Sequence, residues 1–452
     1  MKILYKNIFL LVALFVSVNC FSAPPKPFNS NENIVNTKLP AICANYNHQG
    51  TDNLKDSNLG SREIWDEFNN YYKDRTERNL IVFFDGTAND KSDLTNVRAL
   101  YKLAIQRACK NDSIIPFYDK GVGKSTDTLL GDIFGLGTSL NIRQGYRFLV
   151  EAYKPGDKIY IFGFSRGAFE ARSLNGLIEF AGLLDRRTIS RMPSKLPKEL
   201  WFLTDYENTV KDIYDQYRVH GDDSELFQNT LRKSIHDYEK KNYPNLNFLG
   251  IQVEGIGVFD TVPAVGIKRY VDPSNHRLDL YAKKGFHALS LDERRNDFKL
   301  NRFNKLHLKT NQVLKEVWFP GGHMNIGGGY DKSMDCNISN DKDEYYYDGL
   351  ETIPLNWMIA NFKDDHLFPD DIKPFQECVE GKLHDEYFDG LEIYKTVGIS
   401  TRFPQEKDSL HKSISSRINA KLYKNHKNRE PDGFYKPTNI MYPVDKYYSV
   451  TQ

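Results

Sequence analysis

The stretch from Lys158 to Arg172, Lys-Ile-Tyr-Ile-Phe-Gly-Phe-Ser-Arg-Gly-Ala-Phe-Glu-Ala-Arg, constrains this chain more than any other. Ile159 to Phe162 is an apolar, aromatic-rich run, too short for a helix and bounded by glycine, which reads as a buried strand. After Gly163-Phe164-Ser165-Arg166-Gly167, the residues Ala168, Phe169, Ala171, Leu174, Leu177 and Ile178 recur at helical spacing. A strand, a Gly-x-Ser-x-Gly turn and a helix in that order form a nucleophile elbow. Such a turn is tight, so Gly163 and Gly167 are expected to flank it because they carry no clashing side chain. It presents the Ser165 hydroxyl at the positive end of the following helix. The bland alternative is a glycine-rich turn with an incidental serine, since the short motif recurs by chance. The strand before it and the helix after it favour the nucleophile.

The same alternation surrounds the elbow. Leu80 to Phe84 is an unbroken apolar run ending in Asp85-Gly86, the pattern of a central parallel strand meeting a loop at its carboxyl end. Thr95 to Cys109 reads as a helix with Val97, Leu100, Leu103 and Ala104 on one side. Ile114 to Tyr118 reads as a strand, Gly121 to Gly137 as a glycine-punctuated loop, and Ile142 to Ala152 as a helix leading into the elbow strand. Strands alternating with helices imply an α/β fold, a mainly parallel sheet with helices on both faces. Between about 185 and 245, charged and aromatic residues mix at helical spacing. A helical insertion is expected there, either a lid over the site or further surface helices.

The strand pattern returns from Asn247 to Phe259 and closes on Asp260, where the acid member of a triad belongs. A second strand, Glu316 to Phe319, leads to a loop carrying His323 and then to Gly327-Gly328-Gly329. With 11 histidines in the chain, position and not presence singles out His323. The expected order is therefore Ser165, Asp260, His323: the histidine takes the serine proton, and the aspartate fixes the imidazole tautomer and its charge. The oxyanion hole requires two backbone N–H groups, one from Arg166 and the other from Gly86 or Thr87. Asp85 orients that loop, binds a cation or simply caps the turn; the cap is the favoured reading.

Net charge is +1 and 27% of the residues are charged, which gives no footprint for nucleic acid or for strong electrostatic attraction to a membrane. Residues 1–23 read as a secretory signal: Lys2 and Lys6 precede an apolar run, Ile8 to Val18, too short for a comfortable membrane span. Lipidation at Cys20 is the less favoured reading, because Val18-Asn19 is a poor match before a lipidated cysteine. Residues 24–75 are expected to be a linker or arm, with a short amphipathic helix near Ser61 to Tyr72, and 76–452 the catalytic domain. Cys43, Cys109, Cys336 and Cys378 permit two disulfides in three connectivities, or remain free thiols; their spacing suggests no metal site.

Several blocks in order now carry a resemblance: Phe83-Phe-Asp-Gly-Thr87, Gly163-Phe-Ser-Arg-Gly-Ala168, Val258-Phe-Asp-Thr-Val262, and Trp318 to His323 followed by Gly327 to Tyr330. Supporting blocks are His287 to Arg295, Ile353 to Met358, His411 to Ile414 with Arg417, and Tyr435-Lys-Pro437. From about residue 80 to 440 the chain resembles the α/β-hydrolases that include type VI secretion phospholipase effectors. The resemblance implies a triad at Ser165, Asp260 and His323 and cleavage of glycerophospholipid acyl esters (phospholipase A type) through an acyl-enzyme, with no metal or cofactor. It implies transient contact with a membrane surface; an immunity protein is not legible in the sequence. Alternatives are a carboxylesterase acting on a non-lipid ester, and a non-catalytic binding or toxin-scaffold protein with a vestigial site. Where family members carry Ser-Asp after the base, this chain has Met324-Asn325, and His411 is a rival base. The N-terminus points to a periplasmic or secreted protein rather than to delivery from the cytoplasm.

Overall fold

The apolar runs become strands of one sheet. The computed structural model describes residues 39–45, 62–86, 95–110, 112–121, 131–189, 205–219, 224–263, 276–329, 349–385, 387, 398–420 and 435–452. Helix α1 (Arg62–Tyr71) precedes β1 (Asn79–Phe84), α2 (Asn96–Cys109), β2 (Ile114–Asp119) and α3 (Gly131–Ala152). Then follow β3 (Lys158–Phe164), α4 (Arg166–Ala181), β4 (Leu183–Leu184), α5 (Asp205–Tyr217) and α6 (Glu225–Asn242). The chain continues through β5 (Phe248–Leu249), β6 (Gly255–Phe259), β7 (Lys284–Ser290), β8 (Val313–Phe319), α7 (His323–Gly327) and α8 (Thr352–Asn361). It ends with β9 (Ser409–His411), α9 (Lys412–Asn419), α10 (Val444–Tyr447) and β10 (Ser449–Thr451).

Eight strands form a sheet in the order β10-β9-β8-β7-β6-β3-β1-β2, and every pairing in it is parallel. This is the expected α/β-hydrolase-like class. Alternate side chains of a strand face opposite ways, and the partners sort the helices accordingly. Phe83 and Phe162 stack on one face beside Tyr101 of α2, and Phe162 meets Phe362 just after α8. Phe84 faces the other way, towards Gly145 of α3 and Leu174 of α4. The central strands are therefore buried on both faces, which is why they read as unbroken apolar runs.

The chain leaves β1 for β2 on one side and returns to β3 on the other, so the switch point lies between the carboxyl ends of β1 and β3. Crevices form at such points. Register completes the placement. Phe84 pairs with Gly163, Phe164 with Phe259, and Phe259 with Ala288, so the residues that follow these strands emerge side by side on one edge.

Two expectations change in detail. Asn247 to Phe259 is not one strand: Phe248–Leu249 pairs antiparallel with Leu183–Leu184 in a separate two-stranded sheet, and β6 begins only at Gly255. The described parts of the arm are docked rather than linker-like, because Trp65, Phe68 and Tyr72 are buried in the main core. Cys43 is bonded to Cys109 of α2, closing 66 residues, a constraint worth about 4 kcal/mol in chain-entropy terms. Cys378 is also disulfide-bonded. The helices expected in the insertion, α5 and α6, bury Tyr214, Tyr217 and Ile235 and pack on α4, where Arg232 pairs with Glu179 at 2.9 Å. Residues 1–38, where the signal sequence is expected and Cys20 lies, and also Thr87 and Cys336, lie outside the described residues.

Candidate active site

Ser165 sits between the end of β3 and the first residue of α4, at φ 59° and ψ −123°. A serine in that region is strained by about 1–3 kcal/mol and persists only where its surroundings impose it. They do so here. A Cβ on Gly163 would lie 2.4 Å from the Gly167 carbonyl oxygen, and one on Gly167 would lie 2.3 Å from the Phe84 carbonyl oxygen. The two glycines let strand, turn and β1 close up, and the Ser165 amide donates to Phe259 O at 3.0 Å. Ser165 is 7% exposed.

The structure brings the three sequence-expected side chains together. His323 Nε2 lies 2.7 Å from Ser165 Oγ, and His323 Nδ1 lies 2.5 Å from Asp260 Oδ2. Asp260 follows β6 and is itself at positive φ, 41°. Its other oxygen, Oδ1, accepts from the Ser290 amide at 3.0 Å and from Arg402 Nη1 at 2.5 Å. Burial alone would raise this carboxyl, but Arg402 and His323 outweigh it and hold Asp260 well below the usual carboxylate range. His323 is lowered as well, which for a base favours the neutral form: burial pushes the imidazole below its ordinary value despite the upward pull of Asp260. Phe164 and Phe298 enclose the ring, with centroids 4.7 Å and 4.9 Å away. The pair is therefore a carboxylate beside a neutral imidazole, with Nε2 free to accept from Ser165.

His323 is the first residue of the short helix α7, not a loop residue. The turn before it is held by the last residue of β7 and the segment that follows. Ser290 Oγ donates to Gly321 O at 2.8 Å, Gly321 N donates to Asp292 Oδ2 at 2.7 Å, and His323 N donates to Glu293 Oε2 at 3.2 Å. Asp292 is fixed in turn by the Tyr435 hydroxyl at 2.7 Å, and Glu293 by Arg295 at 2.8 Å. Asn325, the departure from the expected Ser-Asp, takes a structural part: its Oδ1 accepts from Gly322 N and His384 N, and its Nδ2 donates to Lys382 O. The first of the three glycines has a packing reason, since a Cβ on Gly327 would lie 2.0 Å from the Phe164 ring.

Arg166 contributes the first amide of α4, where the helix itself supplies no acceptor. Of the two residues expected to give the second oxyanion donor, Gly86 directs its amide to Asp85 Oδ1 at 2.7 Å, a correction to that expectation, and Thr87 is outside the described residues. Asp85 does more than cap a turn. Its Oδ2 also accepts from Thr95 Oγ1 and from the Tyr118 hydroxyl, each at 2.6 Å, and so joins β1, β2 and the start of α2. Burial first, and then the charge of Asp85, raises Tyr118 well above its ordinary value and keeps it a donor.

The rival base is elsewhere. His411 caps α9 through Ser413, with Nδ1 2.8 Å from Ser413 Oγ, and its ring stacks on Phe319. Sequence reasoning missed Arg402 as a site residue, because nothing local marks an arginine that meets its carboxylate across 142 positions. It also missed β7 as a strand, although the block His287 to Arg295 stood out. His287 lies within that strand, accepting from the Thr261 amide at 3.1 Å and pairing with Glu316 at 3.0 Å.

The family described as "T6SS, Phospholipase effector Tle1-like, catalytic domain" matches residues 78–361, which include β1 to β8 and all three side chains of the hydrogen-bonded line. The chain belongs to this family. An uncharacterized protein of Saccharomyces cerevisiae is 30% identical over 242 residues, covering 49% of this chain and 32% of that protein. The chain thus spans about a third of the length of that curated relative. The crystal structure of an uncharacterized protein from Pseudomonas aeruginosa aligns over 65% of this chain and 46% of its own at 18% identity, with a TM-score of 0.34. Within the Tle1-like match lie the elbow, the Asp85 loop and the clamp after β7; Arg402 lies beyond it.

Proposed function

We propose that this chain is a serine-dependent lipolytic hydrolase that cleaves acyl esters of glycerophospholipids, as a phospholipase A does. The observation that carries the reading is the unbroken line Asp260, His323, Ser165 at the carboxyl edge of the sheet, in a member of a phospholipase-effector family. In this reading Ser165 Oγ attacks the ester carbonyl as its proton passes to His323 Nε2, and Asp260 stabilises the imidazolium that forms. The Arg166 amide and a second donor at Thr87 receive the oxyanion. Collapse of the tetrahedral intermediate expels the lysophospholipid alcohol, which takes the proton from His323, and leaves the fatty acyl group on Ser165. Water, deprotonated by the same imidazole, then releases the fatty acid.

Export by way of residues 1–23 to a periplasmic or extracellular site is part of the proposal. The Cys43–Cys109 disulfide supports it, since such bonds persist in oxidising compartments. The test is fatty-acid release from mixed phospholipid vesicles by the chain and by Ser165→Ala. Release by the parent and its loss in the variant supports the reading. Hydrolysis confined to soluble short-chain esters ends the lipid assignment and leaves the hydrolase; no hydrolysis of either ends both.

A further inference from the structure

Asp260 divides its oxygens between two partners. Oδ2 meets His323 Nδ1, while Oδ1 meets Arg402 Nη1 at the same 2.5 Å. The arginine side chain is 6% exposed and anchored on its own account: Nη1 also donates to Ser290 O at 3.2 Å and Nη2 to Phe298 O at 2.6 Å. Its carbonyl accepts from Asn439 Nδ2 at 2.8 Å. The segment that bears it is stitched to the clamp after β7, with Ser400 N donating to Arg294 O at 2.8 Å and Ile399 bridged to Arg295. Desolvating a guanidinium is costly unless its charge is paired, and here the paired charge is the triad acid itself.

Two consequences follow from that pairing. A carboxylate gripped at Oδ1 by a guanidinium and an amide cannot rotate away from the imidazole. A carboxylate whose charge is partly neutralised also stabilises an imidazolium less than a bare one does. We propose that Arg402 is a positioning residue, which aims Asp260 Oδ2 at His323 and tempers the Asp260 charge that the imidazole faces. This rests on the triad reading above and extends it past the family match, which stops at residue 361.

Other groups among the described residues also approach this pair. His323 is approached by Glu293, which accepts from its amide, and by Arg295, whose guanidinium lies 3.5 Å from the centre of the Phe298 ring. These two are paired with each other. Asp260 is approached by Arg402, by His323 and, across Thr261, by His287, whose own charge partner is Glu316. Among the described residues, Arg402 is thus the arginine in direct contact with the acid.

The experiment is the pH profile of kcat/KM on a soluble short-chain ester for the wild type, Arg402→Met and Arg402→Lys, with thermal unfolding of each. In the methionine variant the acidic limb is expected to move up by about one pH unit. Its plateau is expected to fall on the order of a hundredfold, the scale of a misaimed group. Lysine keeps the charge, so its limb stays at the wild-type position while the plateau recovers only in part. If methionine does not fold, Arg402→Gln keeps a donor without the charge and carries the same limb shift. A folded neutral variant with an unmoved limb, or a lysine limb displaced as far as the neutral one, overturns the proposal. Labelling of Ser165 by a fluorophosphonate separates the two levels. Wild type that is neither labelled nor active ends the triad reading and this proposal with it, whereas a labelled, active wild type with an unmoved variant limb ends the proposal alone.

Discussion

The nucleophile side of the site, Gly163 to Ala181, is held by backbone sterics, whereas the acid–base side, Asp260 to Gly327, is held by buried polar side chains from distant segments. On the first side the contacts that matter join neighbours in sequence or adjacent strands: Gly163 against Gly167, and Gly167 against Phe84. On the second side the Asp260 carboxylate needs Ser290 and Arg402, and the turn before His323 needs Ser290, Asp292, Glu293 and Asn325. Asp292 in turn needs Tyr435. A steric constraint is all or nothing, since a carbonyl oxygen cannot share space with a methyl group. A polar network is graded, because each hydrogen bond contributes a little and can be removed alone. The first side is therefore expected to fail by unfolding or by loss of the nucleophile, and the second by loss of aim.

The largest effect should come from the nucleophile. Ser165→Ala should lower fatty-acid release by about six orders of magnitude while leaving the melting temperature nearly unchanged. Comparable turnover in the variant would remove the reading that the elbow carries the chemistry. Next, Gly167→Ala places a methyl group 2.3 Å from the Phe84 carbonyl oxygen, and denaturant unfolding should report a loss of about 3 kcal/mol or more. An alanine variant of wild-type stability would dissolve the contrast between the two sides.

His411 gives a pH-dependent effect away from the site. Burial pushes it down to about 4 in the folded chain. Below the unfolded value near 6.5, the unfolded chain binds a proton that the native chain does not, so stability is full above that pH and falls as pH drops towards 4. The fall attributable to this residue is up to about 3 kcal/mol. His411→Asn, which keeps a capping side chain, should flatten the pH dependence of urea unfolding by that amount and leave kcat within about twofold. A kcat collapse would instead revive His411 as the base. The smallest effect is expected at Asn325→Ala, which removes the acceptor shared by Gly322 and His384. Kinetics should show kcat reduced about tenfold, with stability lower by about 1–2 kcal/mol. A larger stability loss than that of Gly167→Ala would reverse the proposed order of the two sides.

Legibility follows the same divide. The elbow was readable because a strand, a turn and a helix are each local patterns, and the positions of Asp260 and His323 were readable because parallel strands deliver their next residues to one edge. The three-residue strands β9 and β10 carry too few residues to show a period. The docking of α1 and of Cys43 was hidden because their partners, Phe148 and Cys109, lie far along the chain.

By itself, then, the order of amino acids determined the α/β alternation, the strained turn at Ser165 and the strand ends that bear Asp260 and His323, since all of these follow from side-chain size and period along a few residues. Only the tertiary structure decided that His323 Nε2 meets the serine hydroxyl, that the Gly86 amide is turned to Asp85, and that Arg402 grips the acid. The grip of Arg402 on Asp260 and the meeting of His323 with Ser165 join groups more than a hundred residues apart, and the turn of the Gly86 amide is a choice of local conformation; neither leaves a periodic trace in sequence.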